Sequence, residues 1–435
     1  MDGWTLFALL GGLMLLLASG LWIGLALLGV AAVAMAGFTS RPVLDTMALT
    51  IWGSTSSWTL TALPLFLWMG EILFRTRLTA ELFRGLAPWL HRVPGRLLHT
   101  HVLGCGIFAA VSGSSAATCA TIGRITLPEL KSRGYPDAIA IGSLAGAGTF
   151  GLLIPPSIIM IVYAVATEVS IAKLFVAGVV PGLMLMMLFS LYLVGWALKN
   201  RALMRAVTSA EEGAAPGWRE RLVALRHLGP VVALIGLVIG SIYSGLATAT
   251  ESAAMGVAGA LALSALDGSL RWRSFSDGLL AATRVYCMIG LILAGAAFLT
   301  LAMGFIGLPR EVAALIGRMD LSPPMLLVVL TLFFIVLGCF LDGISMVVLT
   351  MAVLLPTVQA AGIDLIWFGV FIVLVVEMAQ ITPPVGLNLF VLQGLTGREM
   401  PYIARAALPF FLLLLLAVVL IWVFPALVLH LPGLM

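Results

Sequence analysis

Charged side chains are scarce in this 435-residue chain: Asp, Glu, Lys and Arg make up 10% of it, where a soluble domain carries about 25%. With 62% hydrophobic residues and a mean hydropathy of +1.16, the chain has too little polar surface to face water alone. The apolar residues come in long runs. Segment 174–198 has no charge, and 403–429 has only Arg405. About 20 apolar residues span the hydrocarbon core as a helix, so both runs are long enough. No basic segment precedes the first apolar stretch, which begins at Trp4 behind Asp2, so a cleavable signal peptide is not expected. That stretch runs to Phe38 and reads as two helices meeting near Ser19-Gly20.

Other absences narrow the function. The four cysteines, Cys105, Cys119, Cys287 and Cys339, match no zinc or redox spacing and read as small buried packing residues. The five histidines, His91, His99, His101, His227 and His430, form no transition-metal set and read as loop or interface residues. No Walker loop is present, so the chain does not hydrolyse ATP. The net charge of +4 comes without the aromatic-basic pattern of nucleic-acid binding. No soluble-enzyme constellation is found.

What is present divides into halves. Residues 199–227 form a polar, basic linker. The first half, 1–198, has apolar segments near 4–19, 20–38 and 58–74 and an amphipathic stretch near 78–92. A Gly/Ser-rich segment follows near 98–131, then segments near 138–166 and 172–198. The second half, 228–435, answers with 228–246, 247–266 and 277–306, an amphipathic stretch near 309–318, a hairpin-like segment near 323–358, then 364–392 and 403–430. Ile154-Pro155-Pro156-Ser157 recurs as Thr382-Pro383-Pro384-Val385. Such repeats typify secondary transporters.

Charge sets the orientation. Basic residues gather in cytoplasmic loops. Loop 75–99 carries Arg75, Arg77, Arg84, Arg92 and Arg96; loop 124–133 carries Arg124, Lys131 and Arg133. The linker, the turn 267–277 and the loop 397–405 are basic too. Loops 75–99 and 124–133 share a side only if 98–131 enters and returns as a re-entrant hairpin. The flanks of 323–358 are poorer in basic residues, although Arg310 and Arg318 lie there, so the second hairpin is expected to open oppositely. The expected fold is an all-α polytopic membrane protein of inverted repeats, with two re-entrant hairpins and two discontinuous helices. Both termini are then non-cytoplasmic.

The chemistry sits in the interrupted segments. Residues 112–118 hold Ser112, Ser114, Ser115 and Thr118, small polar residues at membrane depth. Non-helical backbone persists there only where protein or water shields it; small-residue helix packing is the plainer reading. Pro155 and Pro156, after Gly146, Gly148 and Gly151, should break their helix and free carbonyls near 151–154. Free carbonyls are hard oxygen ligands suited to sodium; a simple kink is the alternative. Gln380-Ile381-Thr382-Pro383-Pro384 repeats the pattern. Asp342 and Glu377 are intramembrane acids and functional candidates, with helix capping or hydrogen bonding inside the bundle as the alternative. Thr250 with Glu251 reads as a helix N-cap.

These motifs, namely 112–123, Leu127-Pro128-Glu129-Leu130-Lys131-Ser132-Arg133-Gly134-Tyr135, 148–157, 249–254, 341–346 and 382–388, resemble the large membrane subunit of tripartite ATP-independent periplasmic (TRAP) transporters over essentially the whole chain. The resemblance implies a sodium-coupled elevator transporter with scaffold and transport domains. It implies a separate periplasmic substrate-binding protein, a small four-helix membrane subunit, an organic acid substrate and residence in the bacterial inner membrane. No extra four-helix segment precedes the chain, so the unfused type is expected. The resemblance puts one sodium site at Ser112, Ser114 or Ser115 with carbonyls around Gly151, Ile154 and Pro156. It puts a second at Gly343 and Ser345 with carbonyls around Thr382 and Gly386. Ser157, Asp342 and Asn388 are implied substrate-lining residues. No Arg lies in a hairpin tip, so helix N-termini and serines are expected to meet the carboxylate. Two other readings are a binding-protein-independent ion/organic-acid symporter and a non-transport membrane assembly subunit.

Overall fold

The computed structural model describes residues 11–13, 15–16, 19–76, 78–210, 217–307, 322–338, 341–384 and 386–435. The predicted amphipathic stretch 309–318, Arg310, Arg318, Cys339 and Val385 lie outside them, as does the start of the first apolar segment. In chain order the helices are α1 (Ile23–Phe38), α2 (Val43–Thr55), α3 (Ala62–Phe74), α4 (Leu78–Leu90), α5 (His99–Ser112) and α6 (Ser115–Ser132). There follow α7 (Asp137–Gly148), α8 (Ile158–Thr167), α9 (Ile171–Lys199), α10 (Arg201–Ala210), α11 (Trp218–Tyr243), α12 (Ala249–Leu266) and α13 (Trp272–Ile306). The last are α14 (Pro323–Gly338), α15 (Gly343–Ala360), α16 (Leu365–Gln380), α17 (Leu387–Thr396), α18 (Met400–Val423) and the single turn α19 (Ala426–Leu429). No strand occurs among the described residues. Among the described residues, six helices are long and apolar enough to cross a membrane, or seven if the bent pair of 43–55 and 58–74 is one span.

Apolar side chains cover the outside. On α9, Leu183, Met187 and Leu191 are each about 60% exposed (61%, 58% and 58%) at four-residue spacing, while Leu185, Phe189 and Leu193 are buried on the other face. That stripe suits lipid. The interior belongs to the interrupted helices. Residues 139–148 of α7 and 367–380 of α16 are all buried.

Several expectations need correction. Val43–Thr55 forms α2, which apolar runs did not single out because it buries no residue. The linker is largely helical: α10 occupies 201–210, and α11 starts at Trp218, ahead of its apolar run. The N-cap of α12 is Thr248, not Thr250. Its Oγ accepts from the Glu251 N–H at 3.3 Å, and the Glu251 carboxylate accepts from the Thr248 N–H at 2.8 Å, a reciprocal capping box. Cys105 and Cys119 are buried, but Cys287 is exposed. His99 and His101 are buried in α5 rather than looped out.

The basic segments gather at one end. His101 bridges Ser143 of α7 and Thr126 of α6, each at 2.8 Å, so the start of α5 meets the end of α6. Arg75 donates to the Asp277 carbonyl at 3.4 Å. His227 contacts Glu81, and Arg398 pairs with Asp137. A cavity is lined by 91–96 together with residues of 197–205. The α5–α6 hairpin therefore enters and leaves from this end. Its first arm is 14 residues, about 21 Å at 1.5 Å per residue, short of the roughly 30 Å hydrocarbon core.

Directions follow from contacts. The α7–α8 helix runs from the basic end to the far end, where Tyr163 donates to the Leu365 carbonyl at 2.6 Å. The α16–α17 helix runs back, ending beside Asp137 at Arg398. Gly343 lies against Ile159, while Val165 and Glu168 share a cavity with Met351 and Leu355. So α15 runs alongside α8, away from the basic end.

In a Cys287→Ser background, a cysteine at Ser132 should react with an impermeant maleimide from one membrane face only. Cysteines at Ser170 and Ser244 should react only from the other. Labelling of all three from one face contradicts this arrangement.

Candidate functional site

The first helix break begins where proline removes donors. In a continuous helix, the N–H of residue 155 would serve the Gly151 carbonyl and that of 156 the Leu152 carbonyl. Both residues are proline, so neither donor exists. The α7 helix ends at Gly148, a 3₁₀ turn covers Thr149–Gly151, and α8 restarts at Ile158. Ser157 repairs part of the damage. Its hydroxyl donates to the Leu152 carbonyl and caps α8 by accepting from the Met160 N–H at 3.3 Å. Among the described residues, no donor reaches the carbonyls of Gly151, Ile154 or Pro156.

The tip of the α5–α6 hairpin lies directly on this break. Gly113 turns the chain with φ +58°, the left-handed conformation that ends many helices. Its carbonyl meets the Ile158 N–H at 3.5 Å, and a Cβ there would lie 2.9 Å from the Pro156 carbonyl oxygen. A Cβ on Gly151 would lie 2.5 Å from the Ser114 carbonyl. The Ser112 and Thr118 hydroxyls are 2.7 Å apart, and Thr118 donates to the Ser114 carbonyl at 2.8 Å. Hydroxyl and carbonyl oxygens thus converge where two backbones touch. Thr118 was not among the assigned ligands; its position four residues after Ser114 puts it on the same face of α6.

The second break repeats the logic. Pro383 and Pro384 remove the donors for the Ala379 and Gln380 carbonyls. The Thr382 N–H reaches Ala379 at 3.3 Å, and no donor among the described residues reaches Gln380. Gly386 is pressed into the break, its would-be Cβ 2.7 Å from the Gln380 oxygen and 2.9 Å from that of Thr382. The Thr382 carbonyl accepts from the Gly386 N–H at 3.0 Å, and the Gly386 carbonyl accepts from Leu389 and Phe390. Among the described residues, the Gln380 carbonyl, which was not assigned, is thus left without a donor beside the break. Gly343, at the start of α15, packs on Val376 of α16 and Ile159 of α8.

Three expected lining residues serve as structural joints in this conformation. Ser157 is fully buried as a helix cap. Asp342 caps α15, accepting from the Ile344 and Ser345 N–H groups at 3.1 and 3.3 Å and from the Ser345 hydroxyl. Asn388 is fully buried. Its Oδ1 accepts from the Ser115 hydroxyl at 2.8 Å, and its Nδ2 donates to the Ala145 carbonyl at 3.3 Å. Ser115, assigned to the first ion site, joins α6 to α17 in this conformation. Positions 115 and 388 are so far apart in sequence that no local pattern connects them.

The starts of α6, α8, α15 and α17 now lie together. Ile158 meets Gly113, Ser115 meets Asn388, and Gly343 meets Ile159. Each helix start presents N–H groups and a partial positive charge. Glu377 lies one turn before the second break. It is fully buried, and among the described residues neither carboxyl oxygen has a hydrogen-bond partner within bonding geometry. Its polar neighbours are Thr149 and Leu153 of the first break.

A buried pair of interrupted helices, capped by hairpin tips inside an apolar bundle, defines a multi-pass helical membrane transporter. The chain belongs to the DctM family: residues 10–427 match the tripartite ATP-independent periplasmic transporter, DctM component. It is 34% identical over 390 residues to the C4-dicarboxylate TRAP transporter large permease protein DctM of Pseudomonas aeruginosa, covering 89% of each chain. It is 32% identical over 384 residues to the ectoine/5-hydroxyectoine TRAP transporter large permease protein UehC of Ruegeria pomeroyi, covering 86% of each. The solved YdaH transporter of Alcanivorax borkumensis shares the fold, with a TM-score of 0.63 at 16% identity over 93% of this chain and 97% of that one. The protein is a permease subunit, not an enzyme.

Gly151→Ala should lower the apparent melting temperature through a packing cost of about 1–3 kcal/mol. Gly394→Ala, with open space around it, should not. Asn388→Leu strands the polar groups it joined, with a similar cost of about 1–3 kcal/mol. Thermal unfolding of the purified variants checks both; an unchanged Gly151→Ala melting temperature would contradict the tip-on-break contact.

Proposed function

We propose that this chain is the translocating subunit of a sodium-driven importer of an organic acid, working by an elevator mechanism in the bacterial inner membrane. The observation that carries the reading is the pair of proline-broken helices with carbonyls left without donors, the first of them lying against a hairpin tip. Around the first break, Ser112, Ser114 and the carbonyls of Gly151, Ile154 and Pro156, with Thr118 added, offer oxygen ligands of the hard type that sodium prefers. Around the second, Ser345 and the carbonyls of Gln380 and Thr382 do the same. Anionic substrate would lie where the starts of α6, α8, α15 and α17 meet, their N–H groups favouring a carboxylate. Bound sodium adds positive charge close to that carboxylate, which couples the two cargoes electrostatically.

The inverted-repeat reading draws support from the opposed courses of α7–α8 and α16–α17. In the elevator reading, α5–α8 and α14–α17 form the transport domain, held together by Ser115–Asn388 and Ser143–His101. The outer helices, including α1–α4 and α11–α13, form the scaffold. By analogy with the tripartite family, a periplasmic substrate-binding protein delivers the acid and a small membrane subunit braces the scaffold. The relatives named for C4-dicarboxylates and for ectoine all concern carboxylate-bearing compounds, which supports an organic acid without choosing one.

The test is uptake by proteoliposomes holding this chain, its small membrane subunit and the binding protein. Uptake should need an inward sodium gradient and the binding protein. Ser114→Ala should raise the sodium concentration for half-maximal uptake about tenfold, a loss of roughly 1.4 kcal/mol from one ligand group. Uptake indifferent to sodium overturns the coupling. Uptake without the binding protein favours the independent symporter.

A further inference from the structure

At the basic end, a cavity of about 540 Å³ lies between the loop after α4 and the junction of α9 with α10. Five cationic or titratable side chains line it: His91, Arg92, Arg96, Arg201 and Arg205. No acidic residue does. This differs from the neighbouring cavity at the same end, where Asp137 lies among the basic residues and pairs with Arg398. It differs also from Arg75, Arg84 and Arg133, each held by a glutamate on its own helix. Among the described residues, Arg92, Arg201 and Arg205 have no ion-pair partner, and Arg92, Arg201 and Arg205 are exposed. Retention in the cytoplasm would need only positive charge. It would not need four guanidinium groups on two separate chain segments facing one hollow.

The rest of the wall is apolar, with Val93, Leu198 and Met204 among it. Leu198 is 45% exposed at the end of α9, the 29-residue membrane-crossing helix. The cavity therefore borders the lipid-facing surface at the depth where headgroups lie. Nearby, Trp89 of α4 meets Trp218 of α11 edge to face at 5.8 Å, and indole rings favour that interfacial depth. One turn further along α11, Arg221 is nine-tenths buried with two guanidinium nitrogens unpartnered. Among the described residues, guanidinium groups without an ion-pair partner are thus concentrated around this corner of the bundle.

We propose that this cavity binds the phosphate headgroup of an anionic phospholipid of the inner leaflet, with Arg92, Arg201 and Arg205 on the phosphate and the apolar wall along the first carbons of the acyl chains. A phosphate accepts several guanidinium hydrogen bonds at once, and basic pockets beside membrane helices suit such headgroups. The mixture of cationic and apolar lining fits an amphiphile better than a free anion. The lipid would fix α10 against the loop after α4.

The test uses the full chain purified in detergent. Native mass spectrometry and thermal unfolding are run with phosphatidylglycerol, cardiolipin, phosphatidylcholine or inorganic phosphate alone. The anionic lipids should bind and raise the melting temperature, and phosphatidylcholine should do neither. The double variant Arg201→Gln/Arg205→Gln should bind phosphatidylglycerol about 30-fold more weakly, about fivefold per arginine, with its lipid-free melting temperature unchanged. Arg92→Gln, on the other segment, should weaken binding about fivefold, and Arg124→Gln outside the cavity should not. Equal binding of phosphatidylcholine overturns the proposal. So does undiminished phosphatidylglycerol binding by both cavity variants, or full stabilisation by inorganic phosphate alone.

Discussion

A backbone carbonyl inside a membrane must find a donor or a cation, because lipid offers neither. The rest of this structure follows from the places where it breaks that rule on purpose. Two adjacent prolines remove two consecutive helix donors, and they do so twice. Each time, one of the orphaned carbonyls is repaired locally: that of Leu152 by the Ser157 hydroxyl, that of Ala379 by the Thr382 N–H. The other, at Gly151 or Gln380, stays without a donor among the described residues. The surrounding helices shield that exposed polarity. The arms α7, α8 and α16 of the broken helices are almost wholly buried, and the hairpin tips press onto the breaks at glycines.

The same economy of polar groups explains the joints. Asn388 uses both ends of its amide to tie α17 to α6 and α7, and His101 uses both ring nitrogens to tie α5 to α6 and α7. Buried polar groups cost stability unless paired, so these side chains fix helix positions as well as fill space. Glu377 stands apart. It is wholly buried beside Thr149 and Leu153 of the first break, and among the described residues neither oxygen meets hydrogen-bond geometry.

Much of this was legible in the sequence because proline acts locally. Pro155-Pro156 and Pro383-Pro384 announce a break to any reader, and the hydroxyl-rich run 112–118 announces a turn that is not helical. Basic loops on both sides of 98–131 imply an entry and return on one face. What escaped detection depends on tertiary contact. Nothing near Ser115 points to Asn388, and nothing near His101 points to Ser143. Asp342 and Ser157 carry the residue types of a binding site, and the same oxygen atoms make good helix caps, a use that the sequence does not mark and the structure shows. The carbonyl of Gln380 is marked by nothing in its own residue type, because the donor lost at Pro384 is felt four residues back. The short helix α2 was missed because it buries nothing and shows no apolar run.

The central claim is that carbonyls freed by proline hold sodium. Equilibrium binding of radioactive sodium to the purified protein tests it, comparing the native chain with the Pro155→Ala/Pro156→Ala variant, which restores donors to the Gly151 and Leu152 carbonyls. The account predicts saturable sodium binding in the native chain and the loss of one class of site in the variant. The same amount of sodium bound by both proteins, at the same affinity, would contradict it.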